Sequence, residues 1–253
     1  MHVLSALELL GVWERGLAHQ PVERALILLT TACPEVPPEE LAKLSIGQRD
    51  NLLLTLREWT FGSQVSSVAI CPGCGDRLEL SFNVADIRVA PASELTETFS
   101  LSVADCEVQF RLPNSLDLMA ITSQMSASGD APHNNAATTQ QALLERCLLA
   151  ASSHGEERPI TELPSNVIDA VLERMAQADP QADVQLALSC PACRHQWRSV
   201  FDIVSFFWSE MNAWAYRILR EVHILASAYG WREADILAMS PYRRQLYLKM
   251  VSK

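Results

Sequence analysis

Cys71-Pro72-Gly73-Cys74 and Cys190-Pro191-Ala192-Cys193 are two copies of one tetrapeptide, C-P-x-C, and their reading decides the fold. Alternating apolar and polar residues flank each copy. Val65-Ser66-Ser67-Val68-Ala69-Ile70 leads into the first, and Leu78-Glu79-Leu80-Ser81-Phe82-Asn83-Val84 leaves it. Val184-Gln185-Leu186-Ala187-Leu188 and Trp197-Arg198-Ser199-Val200-Phe201 frame the second. A period of two marks half-buried strands. Each motif therefore predicts the tip of a β-hairpin with two thiols turned toward one point. Proline holds the tight turn, and the small residue behind it lets backbone N–H groups approach the sulfurs. Gly75 stands where a left-handed backbone is easiest to accommodate.

Two such tips offer four thiolates, the donor set of a tetrahedral structural zinc site. A lone CxxC could equally be a redox dithiol. A second copy with the same proline favours a shared metal over a disulfide pair or unmetallated thiols, and the βαβ context of a thioredoxin-like motif is missing. The predicted ligands are Cys71, Cys74, Cys190 and Cys193, holding one Zn2+ per chain in a zinc ribbon that a long insertion splits. His195 is expected beside the site or at the surface. A sulfur-saturated site keeps no open position for water or substrate, so its metal would be a staple.

The rest of the 253-residue chain fits an ordinary globular protein, 49 % apolar and 20 % charged. Its formal charge of −10 argues against a broad nucleic-acid footprint, which draws its affinity from cations on phosphate. Of the seven cysteines, Cys33, Cys106 and Cys147 lie singly among apolar residues and are expected in cores. The start lacks the basic region of a secretory signal, and no apolar run is long enough to span a bilayer. These readings predict cytoplasmic synthesis and no membrane.

Residues 3–60 read as helical. Leu4, Leu7, Leu10 and Trp13 recur at helical spacing, Pro21 can open a second helix, and Pro34, Pro37 and Pro38 close it. Ser45 with Gln48 fits a capping box. Leu52, Leu53, Leu56 and Trp59 form one side of the helix that follows, with Arg49, Asp50, Arg57 and Glu58 as its polar face. In the insertion, residues 99–103 and 106–112 alternate as a hairpin joined at Ala104-Asp105. A short helix starts at Pro113-Asn114-Ser115, and residues 126–138 read as a loop. Helices are predicted at 139–152 and at 165–178, the latter capped by Ser165.

From Val204 an a/d seam runs through Trp208, Met211, Ala215, Ile218, Val222, Leu225 and Tyr229, widened by Phe207 and Trp214, until Gly230 ends the helix. The seam either packs on the chain's own N-terminal helices or meets a partner. Phe207, Trp208, Met211, Trp214, Tyr229, Trp231, Arg243 and Arg244 are the interface candidates. Arg243, Arg244 and Lys249 make a small basic spot, read as a solvated face or a docking point. The fold class is α+β and mainly α-helical. Its parts are an N-terminal helical region (1–62), the split ribbon (63–85 with 184–201), an α/β insertion (86–183) and a C-terminal long helix with two short helices (202–253).

Chemistry finds little foothold. There is no Gly-rich phosphate loop, no G-x-S-x-G and no H-E-x-x-H, and the six histidines are scattered. No catalytic residue is assigned, and the expectation is a protein that is not an enzyme.

Trp13-Glu14-Arg15-Gly16-Leu17, Pro21-Val22-Glu23-Arg24-Ala25-Leu26, Gly47-Gln48-Arg49-Asp50 and Leu56-Arg57-Glu58-Trp59-Thr60-Phe61-Gly62, running into the first cysteine pair, carry a family resemblance. So does the tail from Ala228-Tyr229-Gly230-Trp231 to Pro241-Tyr242-Arg243-Arg244. The chain resembles the T-even-type phage baseplate proteins of hub-assembly or chaperone-like type, found also in phage-tail-like contractile injection systems. The resemblance covers both ends and hardly touches 86–183. It implies a non-enzymatic role in building, or forming part of, the baseplate and spike hub, with baseplate, hub or spike proteins as partners. The cysteine pairs rest on their own spacing. The alternative is a nucleic-acid-binding zinc-ribbon accessory factor, which would need more basic residues than Arg77, Arg88, Arg194 and Arg198. A metalloenzyme would need one open coordination position.

Overall fold

The computed structural model describes residues 1–89, 97–128, 136–153, 156–159 and 162–251. Four helices come first: α1 (Ala6–Gly16), α2 (Pro21–Ala32), α3 (Pro38–Lys43) and α4 (Ile46–Phe61). The hairpin β1 (Gln64–Ile70) and β2 (Arg77–Asn83) follows, then the single turn α5 (Val84–Ile87). Next come β3 (Phe99–Val103), β4 (Cys106–Phe110), α6 (Ser115–Ser128), α7 (Ala136–Cys147), β5 (Leu148–Ser153), β6 (Glu156–Glu157) and α8 (Ser165–Ala178). The chain returns through β7 (Gln185–Ser189) and β8 (Gln196–Val200) to α9 (Ile203–Tyr229), α10 (Glu233–Leu237) and α11 (Pro241–Val251). The architecture is α+β and mainly helical. Among the described residues its strands lie in three small antiparallel sheets, β1-β2, β3-β4-β5-β6 and β7-β8.

The main core forms between the two ends of the sequence. Leu28 and Leu29 of α2 and Leu53 and Leu56 of α4 pack with Phe207, Met211, Ala215 and Ile218 of α9. Seven residues of the a/d seam, Val204 to Leu225, are buried, so α9 spends its seam inside the chain. Gly230, at φ +68°, stops α9 in the left-handed conformation that glycine accepts without a Cβ penalty. At α4, the Ser45 hydroxyl accepts from the Gln48 N–H at 3.2 Å while the Gln48 side chain accepts from the Ser45 N–H at 3.0 Å, the expected capping box.

A second core lies between β3-β4-β5 and α8, built from Phe99, Val108, Phe110, Leu148, Val167 and Val171. Phe99 stacks on Phe110 at 5.5 Å. The β3-β4 turn is made by Ala104 and Asp105 at φ +51° and +61°, the primed geometry that matches strand twist, here without glycine. This part docks on the start of α4. The Asp179 carboxylate accepts from the Gly47 N–H at 2.8 Å, adding a negative charge where the helix dipole favours one. A Cβ on Gly47 would lie 2.0 Å from Asp179 Oδ1, so only glycine permits this approach. Gln181 bridges back through the Val89 N–H at 2.7 Å and the Ile87 carbonyl at 3.2 Å.

Several sequence expectations are corrected. The helix predicted at 139–152 stops at Cys147, because Leu148–Ser153 pairs with β4, Val108 opposite Ala151 and Phe110 opposite Leu148. Burying Leu148 and Ala151 against Val108 outweighs the local helix preference of a Leu-Leu-Ala-Ala run. Ser165 is the first residue of α8, and Pro164 holds the cap position. Pro38 opens α3 instead of closing α2. The helix from Ser115 runs on to Ser128. The loop expected at 126–138 is helical at both ends, and its residues 129–135 lie outside the described residues. Finally, the polar face of α4 is not solvated. Arg49 and Arg57 are buried, because α4 is covered by α9 on one side and by α2 and the turn Pro180–Ala182 after α8 on others.

Candidate metal centre

The two hairpins are built alike. Ile70 faces Arg77 at the mouth of the first, and Ser189 faces Gln196 at the mouth of the second. In the first tip the Cys71 N–H donates to the Asp76 carbonyl at 2.9 Å and the Gly75 N–H to the Cys71 carbonyl at 2.8 Å. In the second the Cys190 N–H donates to the His195 carbonyl at 2.9 Å and the Arg194 N–H to the Cys190 carbonyl at 2.9 Å. The residue after each second cysteine is left-handed, Gly75 at φ +77° and Arg194 at φ +60°. Gly75 was legible; Arg194 adopts the same backbone without being glycine, at a cost of about 1–2 kcal/mol.

The tips meet crosswise. Cys71 Sγ lies 3.6 Å from Cys193 Sγ, and Cys74 Sγ lies 3.6 Å from Cys190 Sγ. All four sulfurs fall within 4.8 Å of one another. A tetrahedron with metal–sulfur bonds of about 2.3 Å has edges of about 3.8 Å, so the spacing fits a shared four-sulfur metal site. A disulfide needs about 2.05 Å, and all seven cysteines are free thiols. The Cys193 N–H, joined by that of Ala192, draws the Cys190 thiol down to about 7 against the opposing effect of burial. Cys74 goes up to about 12: the Asp76 N–H favours its thiolate, but the thiols around it, Cys193 first, act the other way. Four thiolates this close repel one another, and a divalent cation relieves that.

Small residues let the tips close. A Cβ on Gly73 would lie 3.1 Å from His195 Cγ, so His195 packs on the opposite tip, and its ring stacks on Trp197 at 6.0 Å. Cys71, Leu78 and Cys190 are buried together, with Leu80 and Trp197 against them. Below the tips the hairpin bases meet α9. Phe82 meets Phe201 edge-on at 5.7 Å, and Phe201 meets Phe206 at 5.3 Å.

The strongest anchor of this region gave no sequence signal. Arg57 donates to both Glu210 carboxylate oxygens at 2.7 and 2.6 Å, and to the Gly62 and Gln64 carbonyls at 2.8 Å each. It thereby fastens the end of α4 and the entry to β1 onto α9. Its partner lies 153 residues away in sequence.

The helical candidates divide by position. Phe207 and Met211 are in the main core, and Trp208 is buried against Gly16, where a Cβ would lie 2.3 Å from its ring, with Arg24 4.4 Å from the ring centroid. Trp214 is half-buried against the same core. Tyr229 stacks on Trp231 at 4.5 Å, and Trp231 meets Tyr247 edge-on at 4.8 Å, with Arg243 over Tyr247 at 5.8 Å. Arg244 is not part of a solvated basic spot. It is buried and paired with Glu221 at 3.1 Å, and donates to the Met239 carbonyl at 2.6 Å. Of the arginines expected near the ribbon, Arg77, Arg194 and Arg198 are exposed, whereas Arg88 is taken up by Asn51, Thr55 and Glu58 of α4.

Cys33, Cys106 and Cys147 are buried core thiols, and burial pushes Cys147 up to about 11. A cleft of about 750 Å³ opens where residues 111–117 face α4. Of the charges on its lining, Lys43 pairs with Glu40 at 2.9 Å and Arg111 with Asp117 at 2.6 Å.

Compared with known proteins, the chain matches the family model described as T4 bacteriophage base plate protein over residues 17–208. That is well over half its length, and the chain belongs to this family. The match takes in residues 86–183, which the resemblance hardly touched, and ends inside α9, short of the Ala228-to-Arg244 tail. No curated protein and no solved structure matches the chain. Among the described residues no helix is long and apolar enough to cross a membrane.

Proposed function

We propose that the protein is a non-enzymatic structural or assembly component of the baseplate and spike hub of a contractile tail or contractile injection system. The family match over residues 17–208 carries this reading. In it, Cys71, Cys74, Cys190 and Cys193 hold one zinc ion, which clasps the two hairpins together. The crosswise 3.6 Å sulfur separations support that assignment, and the soft thiolate set suits zinc. With every coordination position filled by sulfur, the ion holds the fold and takes no part in a reaction. The partners are other hub or spike proteins, met through helical surfaces. The four proposed parts are the two helical ends, the split ribbon and the insertion it frames.

The test is affinity purification of the tagged protein from its native host, with mass spectrometry and metal analysis of the same eluate. Hub, spike or other baseplate proteins with about one zinc per chain are the expected result. RNA polymerase subunits or nucleic acid in their place would overturn it and make the ribbon a recognition module.

A further inference from the structure

Helix α11 is held from behind and apolar in front. On its inner side Arg244 pairs with the buried Glu221, and Gln245 Nε2 donates to the other Glu221 oxygen at 2.8 Å. Tyr247 is packed against Trp231 and Tyr229. On its outer side Tyr242, Leu246 and Met250 are 75 %, 39 % and 62 % exposed. These residues are spaced i, i+4, i+8, so they form one stripe about 12 Å long covering about 80° of the helix. Isolated apolar residues on a surface need no explanation, but a continuous stripe on a helix fixed by a buried ion pair does.

Charge narrows what covers it. Residues 241–251 contain three cations and no acid, in a chain with a net charge of −10. Arg244 is spent on Glu221. The exposed Arg243 and Lys249 project on opposite flanks of the stripe, about 20° beyond each edge at 100° per residue. A narrow apolar seam with a cation on each side is complementary to a helix whose apolar seam is bordered by carboxylates. A membrane surface would call for a broader apolar face and a richer basic one.

We infer that the outer face of α11, Tyr242, Leu246 and Met250 between Arg243 and Lys249, docks an acidic amphipathic helix of another baseplate chain. The inference rests on the proposed baseplate role and gives that role a contact surface.

The test places a benzophenone amino acid at position 242, 246 or 250 of the full chain, with position 149 as an exposed control, and irradiates cells assembling the particle. The expected result is cross-linking from all three stripe positions, not from 149, to one segment of another baseplate protein. The cross-linked residues there are spaced three or four apart and flanked by Asp or Glu. Arg243→Glu with Lys249→Glu is expected to lower the cross-linked yield at least tenfold with the melting temperature unchanged. Cross-links to this chain itself, to lipid or to a basic segment overturn the inference. So does a chain that co-purifies with the baseplate while no stripe position cross-links, in which case the baseplate role stands. Failure to co-purify at all overturns both.

Discussion

Replacing Glu210 with alanine probes the strut beneath the four-cysteine cluster. Arg57 is 1 % exposed. Without Glu210 its guanidinium keeps the Gly62 and Gln64 carbonyls and the face of Phe206 at 5.6 Å, but among the described residues it has no countercharge. Removing one member of a buried pair costs about 3–5 kcal/mol. The Glu210 side chain is 26 % exposed, so water enters the space it leaves and screens part of the charge. That places the loss near the lower end, about 3 kcal/mol. For a chain of this size, such a loss lowers the melting temperature by about 6–12 °C. The assay is thermal unfolding of zinc-saturated protein, with metal content checked before and after, so that loss of the ion is not mistaken for loss of the strut. The double variant Arg57→Met with Glu210→Leu is expected to melt above Glu210→Ala, since no stranded charge remains. A Glu210→Ala protein melting within about 2 °C of the parent would refute the strut, as would a double variant less stable than the single.

Cys74→Ser or Cys190→Ser is expected to yield insoluble or protease-sensitive protein, and chelation to lower the parent's melting temperature, because structural zinc supplies folding free energy. A soluble variant with parental melting would sink the structural-metal assignment. At the two left-handed positions the signs are opposite: Gly75→Ala loses about 1 kcal/mol, with no neighbour within 4 Å to add a clash, and Arg194→Gly gains up to about 1 kcal/mol. Chemical denaturation measures both, and equal signs would refute the backbone argument. Burial pushes Asp50 up from 3.8 to about 6 against the pull of Arg49, with Asp202 and Asp179 adding to the rise. A carboxyl with a raised folded-state pKa takes up a proton on folding, so its contribution is present at low pH and stability declines as pH rises from about 4 to 6. Asp50→Asn is expected to flatten that part of the stability–pH curve, and an unchanged slope would count against it.

What the sequence revealed was local or periodic. The two hairpins follow from a period of two around a repeated C-P-x-C, and the inward face of α9 follows from apolar steps of four and three. The Ser45-Gln48 cap is visible because its two partners lie three residues apart. What stayed hidden depends on tertiary company. Leu148–Ser153 reads as helix until β4 is beside it. Arg57 and Arg244 look like surface cations until Glu210 and Glu221 arrive from distant parts of the chain. The cysteine spacing predicted which sulfurs meet, but their crosswise pairing depends on how two separate hairpins face each other.

The split ribbon sets a timetable for the nascent chain. Cys190 follows Cys74 by 116 residues, so at about 5–20 residues per second the first thiol pair waits roughly 6–23 s for the second. The main core waits longer, since α1, α2 and α4 have no α9 to pack on until Ile203–Tyr229 has been made. In that interval the β3–α8 segment, which carries a core of its own, is fully synthesised ahead of both. In the proposed reading, metal capture therefore follows synthesis of the β3–α8 segment, and it gathers two thiol pairs that this segment separates in sequence. If the site holds zinc as proposed, a shortage at that moment leaves the hairpins unclasped while the early helices still hold apolar faces open, the state in which aggregation begins.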